Sequence, residues 1–122
     1  MLSGAVKWLA ICNRVATILL MYTIHPLPEF TAWLSSIKDG MTKRRLVRRL
    51  VRRLEKAGKG NLGDVEPVGE GVSEMREFFG PGWRMYYVQR GDKLIVMLGG
   101  GDKSTQGADI KAAKELAKTL ED

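Results

Sequence analysis

At 122 residues, with 44% apolar and 28% charged side chains, the chain has room for one core, and its composition is that of a globular protein. Its single cysteine, Cys12, excludes an internal disulfide and fits a reducing cytosol. The formal net charge is +6, yet residues 41–60 alone carry nine Lys or Arg against one Glu, an excess that favours nucleic acid as partner ahead of an acidic protein.

Residues 1–20, "MLSGAVKWLAICNRVATILL", are apolar but interrupted by Lys7, Asn13 and Arg14. No uncharged run in them approaches the roughly 20 residues of a membrane-spanning helix. The basic start and clean cleavage site of a signal peptide are missing as well. They read as an extension ahead of initiation at Met21; an added amphipathic helix and a targeting segment are the alternatives. The domain proper is then 21–122, and its expected location is the cytoplasm, with no membrane partner.

Residues 22–25, "YTIH", form a short strand candidate closed by Pro26. Phe30, Trp33, Leu34 and Ile37 recur at helical spacing, and Asp39–Gly40 should stop that helix. The next helix is the best defined. Leu46, Val47, Leu50, Val51 and Leu54 make one apolar stripe, Arg44, Arg45, Arg48, Arg49, Arg52 and Arg53 fill the other faces, and Thr42 is placed to cap its start. A short link makes the two helices a hairpin.

From Val65 the pattern turns to β. "VEPV", "VSEMREFF", "WRMYYVQ" and "KLIVML" are separated by "GEG", "GPG" and "RGD", as in consecutive antiparallel hairpins. Alternation puts Arg84, Tyr86 and Val88 on one sheet face and Met85 and Tyr87 on the other. A final helix turns Ile110, Ala113, Leu116, Ala117 and Leu120 inward. The predicted class is α+β, in the order β-α-α-β-β-β-β-α, with helices packed on one small sheet.

The stretch "GGGDKST" looks like a phosphate-binding loop but fails the pattern. Asp102 stands where glycine must precede the lysine, and Met97 stands at the first glycine position. It reads instead as a Gly-rich turn that sets Lys103 near a helix N-terminus. The one histidine, His25, leaves Ser-His-Asp and Cys-His chemistry without parts, and the scattered carboxylates predict no metal site and no cofactor. Six arginines within residues 44–53 repel one another more than a solvated helix needs, so Arg44, Arg45, Arg48, Arg49 and Arg52 are candidate phosphate contacts. Such contacts give affinity and salt dependence rather than sequence choice. Arg76, Arg84, Tyr86 and Lys103 fall on successive strands and the turn after the last. Cations with a tyrosine are what RNA cleavage without metal requires: charge on the phosphorane is steadied and protons are moved.

The segments "EFTAWLSSIKD", "GNLGDVEPVGEGVSEMR", "GPGWRMYY" and "GGDKSTQ" resemble addiction-module killer proteins of the RelE/ParE toxin superfamily, from about Met21 to the C-terminus. The resemblance implies a small twisted antiparallel sheet with an N-terminal helical hairpin and a variable C-terminal end. It also implies the toxin of a bacterial type II toxin–antitoxin system, a ribosome-dependent mRNA endoribonuclease. Its expected partners are ribosome and mRNA, a cognate antitoxin with a helix-turn-helix domain, and operator DNA through that antitoxin. Arg76 in "EMREF" matches the phosphate-stabilising arginine, Arg84 in "GWRMYY" the second basic residue of the sheet, and Lys103 the basic position after the last strand. RelE itself carries a tyrosine after the last strand, and here none lies beyond Tyr87, so Tyr86 takes the proton-transfer role by substitution. The catalytic histidine of HigB-type relatives is also missing. ParE-like members, which poison DNA gyrase, share the fold without this chemistry. A non-catalytic module that binds nucleic acid or antitoxin is the third class.

Overall fold

The computed structural model describes residues 23–57, 61–91 and 94–120. The expected extension 1–20, Cys12 and Met21 lie outside the described residues. Five strands, β1 (Thr23–Pro26), β2 (Val65–Gly69), β3 (Val72–Glu77), β4 (Trp83–Arg90) and β5 (Leu94–Asp102), form one sheet in the order β1-β5-β4-β3-β2. Helices α1 (Pro28–Ser36) and α2 (Gly40–Ala57) separate β1 from β2, and α3 (Gln106–Lys118) follows β5 after a 3-10 turn, Lys103–Thr105. The α+β class and the element order agree with expectation.

The sheet is mixed rather than antiparallel. β2 to β5 form an antiparallel meander, but β1 lies parallel to β5, with Thr23 opposite Leu94 and Pro26 opposite Met97. A meander follows from short local turns. The parallel pair needs the long crossover through α1, α2 and three strands, which no local signal announces. Pro26 therefore belongs to β1 instead of closing it, which an edge strand tolerates because one side of its ladder is unused.

Both faces of the sheet are covered. On one, Leu46, Leu50, Val51 and Leu54 of α2, with Phe30 and Leu34 of α1, pack on Met75, Met85, Tyr87, Ile95 and Met97. On the other, Ala113 and Ala117 of α3 pack on Val72, Tyr86, Val88, Val96 and Leu98, with Ile110, Leu116 and Leu120 partly buried around them. Helix α1 ends at Ser36, earlier than expected, and Ile37 turns extended while still packing inward. Asp39, not Thr42, opens α2: its carboxylate accepts from Met41 N at 3.3 Å and Thr42 Oγ1 at 2.7 Å. Those bonds, that to Thr42 foremost, hold the Asp39 carboxyl below its ordinary range.

The glycine run is a strand, not a turn. Gly99, Gly100 and Gly101 lie within β5, paired with Tyr86, Met85 and Arg84. A Cβ on Gly100 would sit 2.5 Å from the Trp33 ring, and one on Gly101 would sit 1.9 Å from Asp109 Oδ2. Helices α1 and α3 thus approach the backbone of one strand from opposite faces, and only glycine leaves them room.

Candidate nucleic-acid interface

Helix α2 presents its stripe of Leu46, Leu50, Val51 and Leu54 to the sheet and leaves Arg44, Arg45, Arg48 and Arg52 exposed to solvent. Arg53 departs from expectation. It falls in phase with Leu46, Leu50, Leu54 and Ala57, and it is buried to 8% exposure. Its guanidinium donates from Nε to Glu77 Oε2 at 2.8 Å, from Nη1 to the carbonyls of Leu62 (2.9 Å) and Asp64 (3.1 Å), and from Nη2 to that of Arg76 at 2.6 Å. It therefore ties the loop after α2 to β3. The second oxygen of the buried Glu77 accepts from Arg49 Nε, whose side chain remains about half exposed. A carboxylate so buried is tolerated because two guanidinium groups face it.

Beyond Glu77 come two phenylalanines. Phe79 is partly buried, with the Arg45 guanidinium 4.0 Å and the Arg49 guanidinium 6.0 Å from its ring centroid. Phe78 points outward, 71% exposed, with the Arg76 guanidinium 5.8 Å from its centroid. Between α2, the following loop and β3 lies an open cleft of about 210 Å³. Arg49, Arg52, Arg53, Lys56 and Arg76 line it, against the carboxylates of Asp64 and Glu77, and Phe78 forms one lip. Of the RNA-contact candidates, Arg44, Arg45 and Arg48 thus continue along the helix from a cleft that Arg49 and Arg52 enter.

The four residues assigned to chemistry do not share one accessible surface. Arg76 and Arg84 are direct neighbours on β3 and β4. Arg76 donates to Asp64 Oδ1 at 2.7 Å, which keeps its guanidinium more firmly protonated than usual, and lies 3.7 Å from Glu66. Arg84 is buried at 8% exposure, with Nε 3.8 Å from the buried Glu74 carboxylate and Nη1 donating to Gly82 O at 3.2 Å. Lys103 is exposed, and among the described residues it has no ion pair. The Lys103 Cβ and the Arg84 guanidinium both flank Gly82, so the two side chains start from the same turn.

Tyr86 lies elsewhere. It is 0% exposed beneath α3, its hydroxyl without a hydrogen bond of ordinary geometry. Burial, then the negative charges of Glu74 and Asp109, push its phenol far above the usual tyrosine range. Gln106 Nε2 donates to both Glu74 oxygens at 3.1 and 3.2 Å, sealing this cluster under the helix. A phenol closed off from solvent and hard to ionise cannot exchange a proton with RNA bound outside, so Tyr86 is a core residue in this arrangement.

The turn after β5 also excludes the phosphate loop it resembles. Asp102 accepts from Ser104 N at 2.8 Å and from the Ser104 hydroxyl, which holds its carboxyl below the usual range. A carboxylate thus already occupies that turn, where an anion would have to dock. His25 is exposed on β1, at the opposite edge of the sheet from β2 and β3. Among the described residues no three His, Cys, Asp or Glu side chains are grouped as metal ligands, and no helix is long and apolar enough to cross a membrane.

Sequence reasoning passed over Lys56, Phe78, Phe79 and the Glu77–Arg53 pair. The available signal was "REFF": a carboxylate at an inward strand position needs an internal cation, and two phenylalanines beside an arginine at the end of a strand offer aromatic surface next to charge.

Fold and site together define a small α+β protein with one basic, aromatic-rimmed face. The chain belongs to the same family as an uncharacterized protein of Haemophilus influenzae, with which it is 42% identical over 91 residues, 75% of this chain and 88% of that protein. No family model and no solved structure matches it.

Proposed function

We propose that this chain is the toxin of a bacterial type II toxin–antitoxin pair and arrests translation by cleaving mRNA on the ribosome. The observation that carries the reading is the continuous basic face. The exposed arginines of α2 run into a cleft completed by Lys56 and Arg76, with Phe78 at its rim and Phe79 beside it under the Arg45 and Arg49 guanidinium groups. Cations interleaved with aromatic rings suit single-stranded RNA, whose backbone and unstacked bases are both available. In this reading the α2 arginines hold rRNA or mRNA backbone. Arg76 and Lys103 stabilise charge on the scissile phosphate, while Arg84 positions Glu74 and the strand ends behind them. A cognate antitoxin with a helix-turn-helix domain neutralises the toxin and carries it to operator DNA.

Induction in a bacterium without antitoxin, with mapping of mRNA 5′ ends, tests this. Codon-spaced cuts are expected, and R76A and K103A should abolish both cuts and growth arrest while remaining folded. Intact mRNA during arrest would overturn the reading.

One observation favours a second reading. Tyr86 is buried, and neither Arg76 nor Lys103 is a base, so a ParE-like gyrase poison or a non-catalytic module bound to nucleic acid or antitoxin needs nothing that is missing. DNA breaks and an SOS response with intact mRNA identify the first of these, and neither signal the second.

A further inference from the structure

The cleft beside α2 has a division of labour among its charges. Arg53 and Arg49 are committed to Glu77, and Arg76 to Asp64, so the carboxylates at the floor are already matched. Arg52 and Lys56 are exposed at the rim, and among the described residues neither has an ion pair. They are four positions apart on α2, hence on one ridge of the helix. Across the cleft stands Phe78, one of two large apolar side chains among the described residues that are more than two-thirds exposed. The Arg76 guanidinium lies near its ring, and most of the ring faces solvent. Unmatched cations on one wall and a bare aromatic ring on the other are complementary to one chemical unit: a nucleotide whose base is unpaired.

We propose that this cleft is a single-nucleotide subsite, in which an unpaired RNA base stacks on Phe78 and its phosphate is held by Arg52 and Lys56. The inference rests on the RNA-binding part of the reading above and deepens it, because it names single-stranded rather than duplex RNA as the ligand of this face. A base locked in a pair has both faces stacked on its neighbours and cannot reach the ring.

The test is binding of a short fluorescein-labelled oligoribonucleotide, single-stranded or annealed to its complement, to the full chain and to F78A. Phe78 is exposed, so F78A should fold as wild type does, checked by circular dichroism. F78A should bind the single strand about tenfold more weakly, the loss of one base–aromatic stack, and bind the duplex with unchanged affinity. F78W should restore single-strand binding, and RNA should quench the fluorescence that its indole adds. R52A and K56A should each reduce the salt slope for the single strand by about 0.7, one phosphate contact apiece. Equal single-strand affinity for F78A and wild type, an equal loss on both RNAs, or no RNA binding by wild type would overturn the subsite. Binding that depends on Phe78 together with uncut mRNA in cells would overturn the endonuclease reading and leave the subsite standing.

Discussion

Arg53 Nε donates to Glu77 Oε2 across 2.8 Å in a place where the two side chains are only 9% and 1% exposed. An arginine from the most basic segment of the chain is thereby spent on the interior, and the helix is fastened to β3 by charge as well as by leucines. The charge density of α2 therefore has two origins, one architectural and one facing solvent.

Removing the acid of that pair should be costly. E77A leaves the Arg53 guanidinium buried without its counter-charge, and a loss of about 3–5 kcal/mol is expected. Urea denaturation followed by circular dichroism reads it. R53K should also destabilise, because an ammonium cannot reproduce the fork that reaches Glu77 and three carbonyls together.

The glycines of β5 should sort by what faces them. G100A drives a methyl into Trp33 and G101A into Asp109, and each should cost about 1–3 kcal/mol. A Cβ on Gly99 meets nothing within 4 Å, so G99A should be nearly neutral. Comparable losses at all three positions would mean that glycine is needed there for backbone freedom and not for close packing.

Solvent-facing arginines should behave in the opposite way to Arg53. R44A and R48A are expected to change the stability of the fold by less than about 0.5 kcal/mol. They should nevertheless weaken binding to RNA and flatten its dependence on salt. Thermal melts beside a salt titration separate the two effects in one preparation.

Tyr86 gives a pH signature. Its phenol is harder to ionise in the folded protein than in the unfolded chain, because burial and nearby carboxylates oppose the anion. Below the ordinary tyrosine pKa of about 10 the phenol is neutral in both states and costs nothing. As pH rises through that value the unfolded chain releases a proton that the folded one retains, so stability falls. Y86F should show a shallower fall, the remainder coming from Tyr87, whose phenol burial also raises. Y86F should keep full toxicity if the hydroxyl has no part in chemistry, and growth assays read that directly.

Much of the fold was legible because its signals are local. The stripe of Leu46, Leu50, Val51 and Leu54 and the turns between β2, β3 and β4 depend on residues close in sequence. The parallel pairing of Thr23 with Leu94 depends on a choice of distant partner, which periodicity does not encode. Gly99–Gly101 read as a turn because a strand is recognised by side chains, and here the side chains that matter belong to Trp33 and Asp109. The site was legible in charge and not in access. Arg44, Arg45, Arg48 and Arg52 are where a helical wheel puts them, whereas helical phase turns Arg53 inward. Strand alternation put Tyr86 beside Arg84 correctly but carried no word of the helix that covers it.

The parallel seam between β1 and β5 also orders events in time. During synthesis β1 finds its neighbour only once β5 has been made. Until then β4 has no outer neighbour and the cores on both faces lack Ile95, Val96, Met97 and Leu98, so closure of the sheet must await β5. Nascent fragments that end before Leu94 should remain sensitive to protease, and resistance should appear only once β5 can join β1.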